Sequence, residues 1–226
     1  LLLMLVSEHI SLVADTLQDT SNVNWTVGQH ITYLNDALRA AVSIRPDISA
    51  VTVSMLLTAN TTLQTLSAPT DLRLIDIDCN LGSDGTTPGD SVLLSDKSAI
   101  SRFIPGWRSV AGTTAVKEYF FDEARPDEFE VYPRPHATTP VYVRVNKSVL
   151  PTVMAAVGDT LPVKDIYASA LREMCCYLAF SRDSERTPNW QRAGRHFAAF
   201  FNLLEKKMTA DMQINPKVRA AVEKQA

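Results

Sequence analysis

The chain has 226 residues, 46% of them hydrophobic and 21% charged, a composition that can fill a sizeable core and lies far from disorder. A net charge of −3 excludes the global basic signature of a nucleic-acid-binding protein. Three cysteines, Cys79, Cys175 and Cys176, leave an odd count. The adjacent pair falls in a helical pattern, where neighbours diverge by about 100°, so reduced thiols in a cytoplasmic setting are expected.

The start, L-L-L-M-L-V, is an apolar run of six followed by Ser7-Glu8-His9. A membrane span needs about 20 apolar residues, and the basic flank of a secretory signal is missing. Leu1 is not an initiator methionine, which leaves room for a few residues before it. Val6, Ile10, Val13 and Leu17 recur at helical spacing, predicting an amphipathic helix to about Asp19. Leu1 to Leu5 then need cover, from the chain's own core or from a neighbouring subunit. Thr26-Val27-Gly28-Gln29 reads as a T-x-x-Q capping box, with Trp25 as a candidate staple. It opens a second helix with Val27, Ile31, Leu34, Leu38 and Ala41 on one face. Pro46 ends it.

From Ser49 to Leu81 the period shifts to two, and two or three short strands are predicted. Residues 82–90 form a loop by composition. A short helix around Ala99, Ile100 and Phe103 stops at Pro105-Gly106, followed by Trp107. Residues 116–145 carry the clearest β signal. Lys117 to Phe121, then Phe129 and Val131, then Val141, Val143 and Val145 alternate with polar or aromatic neighbours. Prolines 126, 133, 135 and 140 argue for one small, proline-bounded sheet without a central strand there. The turn between the first two runs makes a hairpin tip with four acids and one arginine. A loop over 147–161, with room for a helical turn, leads to the strongest helical pattern. Val163, Ile166, Tyr167, Ala170, Leu171, Met174, Tyr177 and Leu178 form a stripe with Pro162 in the first turn. After a polar connection at 181–186, Thr187-Pro188 reads as N-cap and N1. Trp190, Ala193, Phe197, Phe200 or Phe201, Leu204 and Met208 follow as the next stripe. Short connection and matched stripes predict an antiparallel αα-hairpin.

The fold class read from these elements is α+β, mainly α: an antiparallel helical bundle with an inserted small antiparallel β-sheet and hairpin. Residues 1–48 hold the first helices and 49–147 a β-rich insertion with a short helix. Residues 148–213 complete the bundle and 214–226 form a tail.

Catalytic patterns are missing. His9, His30, His136 and His196 are scattered, with no zinc spacing, no P-loop, no G-x-S-x-G and no dinucleotide fingerprint. Asp76-Ile77-Asp78-Cys79-Asn80 begins like an EF-hand loop, but Leu81 and Thr87 occupy the positions that need glycine and a bidentate glutamate. A metal-dependent hydrolase using Asp76 and Asp78, helped by Asp84 or Asp90, is therefore the weakest reading. The two aspartates are better explained as the solvent face of an alternating strand. Asp122, Glu123, Asp127 and Glu128 could be read as catalytic carboxylates, which need a cleft that separates their pKa values. Acids at a turn tip are solvated, and Arg125 neutralises them locally. A contact surface for another chain is the better reading of Asp122, Glu123, Arg125, Asp127 and Glu128. No catalytic residue, cofactor or metal is assigned.

The run F-F-D-E-A-R-P-D-E-F-E-V-Y-P-R-P at residues 120–135 resembles the hairpin signature of tailed-bacteriophage head-to-tail adaptor proteins. W-T-V-G-Q-H-I-T-Y-L-N-D-A-L-R at 25–39 is similar to their N-terminal segment. Pro105-Gly106-Trp107 and the helices at 161–183 and 200–206 match in the same order. The chain departs from the pattern in its greasier start and in Arg134, where a second proline is common. The resemblance implies a virion structural protein at the neck, assembled in the host cytoplasm. It would form a homo-oligomeric ring, usually of twelve copies, between the portal protein and downstream tail or nozzle proteins. DNA would pass through the lumen without sequence-specific binding. The tail, with Asn215, Pro216, Lys217, Val218 and Arg219, is implied to reach toward the portal. A tail-tube or nozzle subunit is the alternative structural role.

Overall fold

The computed structural model describes residues 3–66, 68–182 and 187–214. It is a mixed α+β chain, 42% helical and 22% strand. Two units emerge, one of Leu1–Arg45 with Pro151–Ala226, the other of Pro46–Leu150.

The first unit carries α1 (Val6–Leu17), α2 (Val27–Ile44), α4 (Ala168–Arg182) and α5 (Thr187–Ile214); α3 (Lys97–Phe103) lies in the other unit. The chain start is strapped by residues 157–161. Val6 N donates to Asp159 O, Ser7 N to Val157 O, and Leu161 N to Met4 O. Leu3 and Leu5 stay more than a third exposed, so among the described residues the expected cover is partial; Leu1 and Leu2 lie outside them. α2 opens on the capping box: Thr26 Oγ1 accepts from Gln29 N, and Gln29 Oε1 accepts from Thr26 N at 2.8 Å. Its buried face is His30, Leu34, Ala37, Leu38, Ala41 and Val42. Val27 is exposed, so the stripe lies slightly round from the one predicted.

α4 packs against α1, α2 and α5, which explains its composition. A helix with neighbours on three sides needs small residues, and Ala168, Ala170, Cys175, Cys176 and Ala179 are buried together with Leu171 and Phe180. The cysteines are free; burial pushes the Cys176 thiol up to about 12. Helix formation begins later than the apolar stripe implied. Pro162 precedes a 3-10 turn at Asp165–Tyr167, α4 starts at Ala168, and Ile166 is exposed. The loop over 150–161 has no helical turn. α5 runs back along α4: His196 reaches Glu173, while Arg192, nearer its start, lies over Phe180. α5 buries Ala193, Phe200 and Leu204, and extends to Ile214.

The second unit has two sheets. β1 (Ala50–Leu56), β7 (Tyr142–Val149) and β3 (Asp71–Asn80) form one, with β7 in the middle and both pairings antiparallel. β2 (Leu63–Thr65), β6 (Glu128–Tyr132), β5 (Glu118–Phe121) and β4 (Leu93–Leu94) form the other in that order. Two expectations are corrected here. β7 does not join the hairpin sheet but is the central strand of the other one. The prolines sit between strands and leave every ladder donor inside them intact. The insertion is also not purely antiparallel, since β4 pairs β5 in parallel.

Leu74, Ile77, Tyr119, Phe129, Val131, Val143 and Val145 meet in this unit's core. A satellite cluster joins Ile100 of α3 (Lys97–Phe103), Trp107 and Phe120. Asn80, almost wholly buried, is its polar pin. Its side chain donates to Asp90 O and Val116 O and accepts from Val116 N.

Candidate interaction surface

The β5–β6 hairpin is anchored from beneath. Phe121 pairs across from Phe129, and Phe120 and Phe129 are buried on opposite faces, one in each core cluster. The tip, residues 122–127, is held by turn hydrogen bonds. Arg125 N donates to Asp122 O, Glu128 N to Arg125 O, and Ala124 N to Asp122 Oδ1. Two further bonds pin it to the rest of the unit: Leu74 N to Pro126 O and Leu66 N to Asp127 O. A charged turn tied down at its β6 shoulder is a presented surface.

Arg125 pairs with Glu128 at 3.2 Å. Asp122, Glu123 and Asp127 are exposed, with no ion pair among the described residues. The structure thus brings Asp122, Glu123, Arg125, Asp127 and Glu128 to one tip. Beside it lies an open groove of about 570 Å³ lined by Leu63, Phe121, Lys97 and Glu130 among others. The candidates Asn215, Pro216, Lys217, Val218 and Arg219 lie outside the described residues.

Glu130 was not singled out by sequence. It projects beside Lys97 (2.5 Å) and Arg108 (2.9 Å). Burial alone would raise its pKa, but hydrogen bonds from Arg108 and Lys97 hold it below the ordinary value. Arg108 also lies over the Trp107 ring at 4.4 Å. Glu130 therefore ties α3 and the Trp107 turn to the hairpin. Its partners lie 33 and 22 residues away, a separation that no local spacing encodes.

Of the aspartates weighed as metal ligands, Asp76, Asp78 and Asp84 have protein partners. Asp76 Oδ1 accepts from Tyr119 Oη at 2.9 Å, and Asp78 pairs with Arg144 at 3.2 Å. Burial, and secondarily Asp76, pushes the Tyr119 phenol well above its usual range. Asp84 is engaged by the backbone and hydroxyl groups of Thr86 and Thr87, which hold its carboxyl far below the usual range. Among the described residues no three His, Cys, Asp or Glu side chains are grouped to hold a metal. No described helix is long and apolar enough to cross a membrane.

The arrangement offers anchored charge and a half-apolar groove, suited to contact with another macromolecule. A comparison with curated proteins gives no match. The family described as SU10 adaptor protein matches residues 4–221, nearly the whole chain. The chain therefore belongs to the SU10 adaptor family, phage structural adaptors that are virion components and in general not enzymes.

Proposed function

We propose that this chain is a head-to-tail adaptor, a homo-oligomeric ring of twelve copies between the portal and the tail at the virion neck. The family match over residues 4–221 carries this reading. In it, α1, α2, α4 and α5 form an antiparallel bundle and the Pro46–Leu150 unit is its insertion. Residues 215–226 reach toward the portal, tail or nozzle proteins dock below, and DNA passes through the lumen. Twelve copies of a −3 chain carry about −36 in total, a sign that favours sliding over adhesion to phosphate.

The acids of the hairpin tip serve the ring as a contact between copies. Exposed charges add little affinity but set register and association rate. Electron micrographs of the chain mixed with its portal protein test the reading: rings on the portal are expected. A chain that stays monomeric and ignores the portal overturns it. Replacing Asp122, Glu123, Asp127 and Glu128 by Ser should leave the melting temperature nearly unchanged while reducing ring formation. Rings formed normally by that variant would remove the tip from the interface.

A further inference from the structure

Asp122, Glu123 and Asp127 at the hairpin tip have no ion pair among the described residues, and the first unit carries a groove of the opposite sign. Arg192, Arg195, His196 and Ala199 fall within about 100° of one another round α5, at about 100° per residue. With Glu173 and Phe180 of α4 and the C-terminal end of α1, they line an open groove of about 370 Å³. Leu17 and Phe180 are buried, so the charges stand over an apolar floor. A floor of that kind lowers the local dielectric and strengthens a charge pair formed above it.

Glu173 is the carboxylate of this groove, and both of its oxygens are taken. Oε1 accepts from Arg172 at 3.4 Å, and Oε2 lies 2.7 Å from His196 Nδ1. His196 is fixed further by stacking on Phe180, with ring centroids 5.5 Å apart. No acceptor is left for Arg192 and Arg195, which are exposed and have no ion pair among the described residues. Arg192 lies over the Phe180 ring at 5.8 Å, which holds its guanidinium at the groove. By contrast Lys97 and Arg125, which line the groove beside the tip, are engaged by Glu130 and Glu128.

We infer, as an extension that rests on the proposed ring, that this groove receives the acidic tip of a neighbouring copy, with Glu123 and Asp127 facing Arg192 and Arg195. Acids on one patch and arginines on another make a contact between unlike surfaces. Such a head-to-tail contact repeats around a ring, whereas a self-matching patch stops at a dimer. The tip is a narrow turn that enters a groove of this size; a DNA duplex meets only its rim. Because the partners are exposed, the contact sets register and association rate more than affinity, and it weakens with salt.

A charge swap tests it. The groove variant carries Arg192→Glu and Arg195→Glu. The tip variant carries Glu123→Lys and Asp127→Lys, and spares Asp122, whose carboxylate holds Ala124 N. In sedimentation velocity on the full chain without portal, at on the order of 100 μM, each variant alone should self-associate at least about tenfold more weakly than the parent. Both should keep nearly the parent's melting temperature. An equimolar mixture should associate again, because every groove then meets a tip of opposite sign, and that recovery separates a lost contact from a damaged fold. On the portal, neither variant should form rings, and a chain with all four substitutions should. A mixture that associates while no chain forms rings on the portal keeps the contact and removes the ring. Rings formed normally by the groove variant keep the ring and overturn the contact. A mixture that stays monomeric overturns it too, and duplex DNA held by the parent and released by the groove variant would then assign the two arginines to phosphate.

Discussion

His9 sits on the buried face of α1 with Nε2 at 3.2 Å from Ala168 O, while Nδ1 has no hydrogen-bond partner. That geometry fits a neutral imidazole donating from Nε2. Burial pushes its pKa down to about 4, and the bond to Ala168 only partly offsets this. With the folded value below the unfolded one, the unfolded chain takes up the proton first. The stabilisation is complete above about pH 6.5 and drains away as pH falls toward 4, a loss of about 3 kcal/mol. His9→Gln keeps a donor for Ala168 and cannot titrate. Urea midpoints at pH 7 and pH 4 should therefore separate far less for the variant than for the parent, and parallel curves would refute the assignment. The sequence marked His9 as a residue without a site, and the structure explains it through burial. Glu130 shows the opposite limit: its role depends on Lys97 and Arg108, which only the tertiary fold brings to it.

Local punctuation carried furthest among the helices. The T-x-x-Q box at Thr26 is formed by neighbours in sequence, so it survives as read. Thr26→Ala should cost about 1 kcal/mol by freeing N-terminal amides of α2, measurable as a lower urea midpoint with an unchanged slope. Where an element depends on distant partners, the reading weakens. The alternation Val141, Val143, Val145 identifies a strand and its buried face. It cannot say that the strand enters between β1 and β3 rather than beside β6, because pairing is a long-range choice. The same holds for α4. A stripe of large apolar residues pointed to Met174, Tyr177 and Leu178, whereas helices on three sides select the small Cys175, Cys176 and Ala179 as the inner face. The hairpin acids were legible as a surface cluster because one short turn contains them all.

At the scale of the whole molecule, the chain crosses between its two units at residues 45–46 and 150–151. The inserted unit has its own core around Phe129, Val131, Val143 and Val145, and Trp107 is its one tryptophan. A fragment spanning Pro46–Leu150 should fold alone, with Trp107 fluorescence reporting a single cooperative urea transition. A fragment with no transition would mean that the unit depends on the rest of the chain.

The pairing Ala50↔Ser148 puts the first residue of β1 beside the end of β7, so the unit is entered and left at one end of the same two-stranded ladder. A pull transmitted through both connections therefore loads that ladder in peeling geometry. Its hydrogen bonds would break in succession from Ala50 toward Leu56 instead of sharing the load. The insertion is therefore mechanically compliant at its root, where the Ala50 end of the ladder opens first and the Leu56 end last.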